Sequence, residues 1–209
     1  MEGMKRLLTI SPKIIVLALA LSLAPGVSGA QAGQPTEDIK HLLDEVLAIL
    51  HNPALKTPAQ KQHRQDLIEQ AAARRFDYRE MAKRCLDTTW DTLSQTQQKE
   101  YVHLFTELLK ASYAHRVDEI ANAQVTYLSE SQGQDLAEVR TVILRPNDKI
   151  PVNFRMLRLP DGWKIYDLVI EDVSLVKNFN HQFGCAIEGD SYDYLVRCLR
   201  GKLQEEKGN

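Results

Sequence analysis

Apolar residues recur at a helical interval in the first half of this chain. They alternate with a period of two through its middle and return to the helical interval near its end. Behind Thr36, which suits a helix cap, Ile39, Leu42, Leu43, Val46, Leu47 and Leu50 fall on one helix face, and His51-Asn52-Pro53 ends the run. Thr57-Pro58 predicts a second helix reaching about Arg75. Asp77 with Glu80 and Ser94 with Gln97 have the spacing of capping boxes. The first opens a short helix carrying Met81 and Cys85. The second opens the longest, with the stripe Tyr101, Leu104, Phe105, Leu108, Leu109, Tyr113, Val117 and Ile120.

The period changes near Gln124. Strands are predicted over Gln124 to Glu130, Leu136 to Arg145, Ile150 to Leu159 and Trp163 to Ile170, the last two joined by Pro160-Asp161-Gly162. Connections this short force antiparallel pairing. Helical spacing resumes from about Val173 to Ile187 and from Ser191 to Leu203. Helices, a four-stranded antiparallel meander and further helices describe an α+β domain with helices on the sheet. Val142 and Leu144 alternate against Val139 and Ile143, and Trp163, Ile165 and Val169 against Tyr166, Leu168 and Ile170. Both sheet faces therefore read as apolar, which fits either a well-packed core or an apolar cavity.

The N-terminus has its own pattern. Met4-Lys5-Arg6 and Lys13 are basic, Ile14 to Ala24 is apolar apart from Ser22, and Ser28-Gly29-Ala30 offers a small-residue cleavage site. This is the layout of a secretory signal peptide, with an apolar run too short to span a bilayer. The expected organisation is a cleavable signal peptide at 1–30, a flexible leader at 31–35, one domain at 36–204 and a disordered tail at 205–209. An exported, periplasmic location follows from the same signal.

Charge narrows the partners. The chain carries 26 Lys and Arg against 28 Asp and Glu, and the segment before the cleavage site removes more bases than acids. A mildly acidic protein lacks the basic face that nucleic acid requires. The three cysteines, Cys85, Cys185 and Cys198, do not make an even disulfide set, and whether Cys185 pairs with Cys198 stays open. Metal-ligand spacings, G-x-S-x-G, the P-loop and G-x-G-x-x-G are absent from the sequence. Asp167, Glu171 and Asp172 form an acidic cluster after the fourth strand. They suit the start of the following helix, although an Asp167–Tyr166 acid–base pair is the alternative.

Several segments resemble the MlaC family. They are Phe76-Asp77-Tyr78-Arg79-Glu80-Met81-Ala82, Trp90, Ser94-Gln95-Thr96-Gln97-Gln98, and the block from Trp163 through Tyr166-Asp167 to Val173-Ser174-Leu175-Val176. Asn178-Phe179 and Gln182-Phe183 complete the likeness. The family comprises periplasmic phospholipid-binding proteins, also called auxiliary toluene-tolerance components of ABC transporters. The chain departs from it at Asp87 and Asp172, where members usually carry Gly, and at Asn180, where an Arg is often found.

The resemblance implies a non-enzymatic phospholipid carrier. Its partners would be an outer-membrane lipoprotein complex and an inner-membrane ABC transporter with an MCE-domain subunit, and its role the maintenance of outer-membrane lipid asymmetry. Phospholipid would be cargo, with no cofactor and no metal. With the two apolar strand faces it points to Leu104, Phe105, Leu108 and Leu109 on the long helix as tail-lining residues. On the sheet it points to Val142, Leu144, Val152, Phe154, Met156, Ile165, Tyr166 and Leu168. The competing readings are a cone-shaped α+β isomerase or dehydratase using Asp167 and Tyr166, and a periplasmic adaptor that binds no lipid.

Overall fold

The computed structural model describes residues 34–146, 148–189 and 191–207. The expected signal peptide and most of the expected leader lie outside these residues. Helix α1 (Gln34–His51) begins two residues before the predicted cap. Thr36 does not cap it. Its amide and hydroxyl instead both donate to the Glu130 carboxylate on the sheet. Two short 3-10 turns lead to α2 (Lys61–Ala73). Then come α3 (Tyr78–Leu86), α4 (Thr89–Thr92) and α5 (Gln95–Val117). Both capping boxes place their helices as expected. Asp77 accepts the Glu80 amide at 2.9 Å. Ser94 and Gln97 bond reciprocally, at 3.3 Å to the Gln97 amide and 3.0 Å from the Ser94 amide.

The sheet is an antiparallel meander in the order β1-β2-β3-β4-β5. Its strands are Gln124–Gln132, Leu136–Arg145, Asp148–Leu159, Gly162–Ile170 and Val173–Ser174. It has five strands rather than the expected four. The extra one is a two-residue strand, paired through Val169–Ser174 and Ile170–Val173, in a stretch where helix was expected. Glu171 and Asp172 form the turn into it, with φ of 49° and 64°. Positive φ at both central residues is the type I′ pattern, whose handedness matches strand twist. Helices α6 (Leu175–Gly189) and α7 (Tyr192–Lys207) follow, so residues 205–207 are helical, not a disordered tail.

Two bulges decide which side chains share a face. Arg155 pairs with Asp167 and Met156 with Ile165, which leaves Tyr166 as the extra residue on β4. The bulge resets the alternation. Trp163, Ile165, Leu168 and Ile170 all reach the face shared by Arg158, Met156, Phe154 and Val152, their cross-strand partners. The bulge therefore brings Leu168 and Ile170 to the inner face and leaves Val169, 6% exposed, buried on the opposite one beside Asn153. A second bulge between Tyr127 and Ser129 does the same for β1.

Buried side chains form two clusters among the described residues. One joins the inner sheet face, through Val139, Phe154, Met156 and Ile165, to Ile39, Leu42 and Val46 of α1. The other is all-helical, with Tyr101, Phe105, Phe179 and Phe183 at its centre. There Phe105 and Phe179 meet edge to face at 5.6 Å. Phe76 and Leu168 touch both clusters. Among the described residues no helix is long and apolar enough to cross a membrane.

Candidate functional site

The chain between α2 and α3 runs beside β4. The Ile165 amide donates to the Arg75 carbonyl at 2.7 Å, and the Asp77 amide donates to the Ile165 carbonyl at 2.9 Å. This short parallel contact fixes Phe76 at the seam between the two clusters. A cavity of about 250 Å³ opens at that seam. Its walls are Leu42, Leu43 and Val46 of α1, Ile68 and Ala72 of α2, and Leu109 and Val117 of α5. Phe154 and Leu168 of the sheet close it, with Phe76, Ile120 and Leu175 beside them. The walls are almost wholly apolar, as suits a guest without fixed polar groups.

Polar side chains gather where α2 faces α5. Gln65, Glu69, Lys110 and the ring of Tyr78 belong to the lining. Lys110 Nζ lies 3.2 Å from Glu69 on α2 and 3.3 Å from Glu107 on its own helix. Burial works against the Lys110 ammonium, but the two carboxylates outweigh it and raise its pKa above the ordinary lysine value. The Tyr78 hydroxyl is also raised, chiefly by burial. Lys110 pulls it down and Glu69 pushes it up, so both charges reach it. Phe76 stacks on Tyr78 with ring centres 5.7 Å apart, holding the phenol at the cavity wall.

Of the residues singled out in the sequence, Leu109, Phe154 and Leu168 line this cavity. The others do not. Leu104, Phe105 and Leu108 are buried in the helical cluster, on the side of α5 turned to α6 and α7. Val152, Met156 and Ile165 are on the correct sheet face but are sealed in the core with α1. Val142 and Leu144 pair with Pro151 and Lys149 on the opposite face, where both are half-buried. Tyr166 is the bulge residue and lies under the Arg84 guanidinium at 4.1 Å. The residues that sequence reasoning missed come mainly from α1 and α2. On α2, Ile68 and Ala72 are spaced one turn apart in a helix otherwise dominated by polar side chains.

Asp167 has a structural task. It is 2% exposed. Its carboxylate accepts the Ser174 hydroxyl at 2.7 Å, the Val176 amide at 3.0 Å and Arg155 Nη1 at 3.1 Å. It thereby caps α6 across the β4–β5 turn. The expectation that the acidic cluster serves the following helix holds for Asp167. Glu171 and Asp172 make the turn instead. Three fixed donors hold the Asp167 carboxylate, and Tyr166 is not one of them. The cysteines are all free, so Cys185 and Cys198 do not pair. Among the described residues no group of three His, Cys, Asp or Glu could hold a metal ion.

Comparison with known proteins gives two findings. The family model described as MlaC protein matches residues 40–201. Among solved structures, the chain is similar to the phospholipid-binding protein from Ralstonia solanacearum in complex with a phospholipid. The identity is 23%, the match covers 84% of this chain and 99% of that one, and the TM-score is 0.76. At that identity the likeness establishes the shared fold.

Proposed function

The chain belongs to the MlaC family, and from that membership and its apolar seam cavity we propose that it is a periplasmic phospholipid carrier. It takes lipid between the outer-membrane and inner-membrane components of an Mla-type transport system and so helps to keep the outer membrane asymmetric. The protein is not an enzyme; the Asp167–Tyr166 isomerase reading is set aside by the family and by the role of Asp167 in holding α6.

The observation that carries the reading is the cavity, whose walls are almost wholly apolar, with Gln65, Glu69 and Lys110 the polar exceptions. Exposed methylene groups cost about 0.8 kcal/mol each. Two acyl chains of about sixteen carbons therefore cost on the order of 20 kcal/mol or more in water, and unaided diffusion between membranes is negligible. A carrier supplies burial and no chemistry. A cavity of about 250 Å³ is smaller than the usual ligand pocket, so two tails enter only if a wall yields. That wall is α2, in which only Ala71 is buried. Amide exchange in α2 is expected to change on lipid uptake while β2 and β3 stay constant; unchanged exchange in α2 would contradict this.

A transfer assay tests the carrier role. Donor vesicles with labelled phospholipid and unlabelled acceptor vesicles are separated by a membrane that passes protein only. The protein is expected to move label in proportion to its concentration. Transfer no faster than in buffer would refute the carrier reading.

A further inference from the structure

The cavity lining includes an ion pair that reaches solvent. Glu69 belongs to α2 and Lys110 to α5, and their contact at 3.2 Å joins the two helices at a solvent-exposed edge of the cavity. Lys110 has a second carboxylate, Glu107, at 3.3 Å. None of the three is sealed from solvent: their side chains are 40%, 28% and 31% exposed. Two carboxylates facing one ammonium leave this edge with an excess negative charge.

We propose that this pair receives the phospholipid headgroup and selects zwitterionic over anionic lipids, Lys110 taking the phosphate and the released Glu69 taking the headgroup ammonium. The inference rests on the carrier reading. With both tails inside the cavity, the glycerol that joins them sits at the exposed edge, and the phosphate esterified to it lies beside it. Lys110 is the cation placed there. When the phosphate takes Lys110, the Glu69 carboxylate loses its partner. An ethanolamine or choline headgroup brings a replacement cation within one headgroup length, so one ion pair is exchanged for two. A glycerol headgroup brings none, and its phosphate adds a further negative charge beside Glu69 and Glu107. Tyr78, on the same wall and sensitive to both charges, offers a neutral hydroxyl to either headgroup.

The test is competitive loading. The protein is incubated with vesicles of equal parts phosphatidylethanolamine and phosphatidylglycerol with identical acyl chains. The bound lipids are then counted by native mass spectrometry. Phosphatidylethanolamine is expected in excess by about two- to fivefold, the range of a partly exposed ion pair. Glu69→Gln is expected to flatten the ratio and Glu69→Lys to invert it. The ratio is internal to each sample, so it does not depend on how much variant folds. Bound lipids in the vesicle ratio, or a ratio unmoved by Glu69→Lys, would overturn the headgroup assignment and leave the carrier reading intact. Uptake of neither lipid would overturn both.

Discussion

Phe154 and Leu168 are cross-strand partners on β3 and β4, and both side chains line the cavity. Their alignment depends on the bulge at Tyr166, one position past which the pairing resumes. Without it, Leu168 would turn to the opposite face from Ile165, and the sheet would present the cavity with a broken wall. The bulge thus links a local irregularity in β4 to the shape of the site.

The cavity wall and the outer face of the sheet are expected to respond differently to charge. Ile68→Glu places a carboxylate among the apolar walls, where an unpaired polar group costs about 2 kcal/mol or more. Val142→Glu places one on the opposite, half-buried face. Phospholipid occupancy after vesicle incubation is expected to fall about tenfold or more for the first and to change little for the second. Equal losses would mean that the seam cavity is not where lipid goes.

Asp167 anchors α6 to β4. Asp167→Ala strands the Val176 amide and leaves Arg155 with Glu138 as its carboxylate partner. Removing one partner of a buried pair costs about 3–5 kcal/mol, and the partial exposure of Arg155 moves the expectation to about 2–4 kcal/mol. Urea unfolding measures it. A loss below about 0.5 kcal/mol would show that the cap does not hold the helix.

Asp87 ends α3 with φ 49° and ψ −128°, a region that glycine enters freely and a residue with a β-carbon does not. Asp87→Gly is expected to raise unfolding free energy by about 1 kcal/mol. Asp87→Ala keeps the β-carbon and is expected to give no gain. Asp172→Gly is expected to gain less, because the left-handed region at φ 64° tolerates Asp. Denaturation midpoints of the three variants decide. If Asp87→Ala and Asp87→Gly behave alike, backbone strain is not the cause.

Glu138 gives stability a pH dependence. A hydrogen bond from Arg140 lowers its pKa below the ordinary 4.5, burial works the other way, and a bond from Arg155 adds to the lowering. A depressed carboxyl contributes stability that is full above the ordinary value and is lost as pH falls through the folded one. The stability difference between the native chain and Glu138→Gln is therefore expected to be steady near neutrality and to shrink below pH 4.5. A difference constant down to about pH 3, well below the ordinary glutamate value, would rule this out.

The sequence made the helices legible where side chains announce their ends. Asp77, Ser94 and Gln97 cap as their spacing says. The meander was legible because its connections are short. The bulges were not, since a single extra residue such as Tyr166 looks like continued alternation read on the other face. That is why Leu168 and Ile170 were assigned to the face opposite Ile165, although they share its face. The strand Val173–Ser174 was too short to carry a period. At the site, Leu109, Phe154 and Leu168 could be named from pattern, but Leu104, Phe105 and Leu108 share their stripe and belong to the core. Which turn of α5 meets a void is set by where α2 and the Phe76 segment lie, and helical periodicity holds no information on that.

Native mass spectrometry of the protein purified from a bacterial periplasm, followed by solvent extraction of its cargo, tests the central claim most directly. The expected result is one diacyl phospholipid per chain, released on extraction. A chain that emerges without lipid and takes none from vesicles would contradict the carrier account.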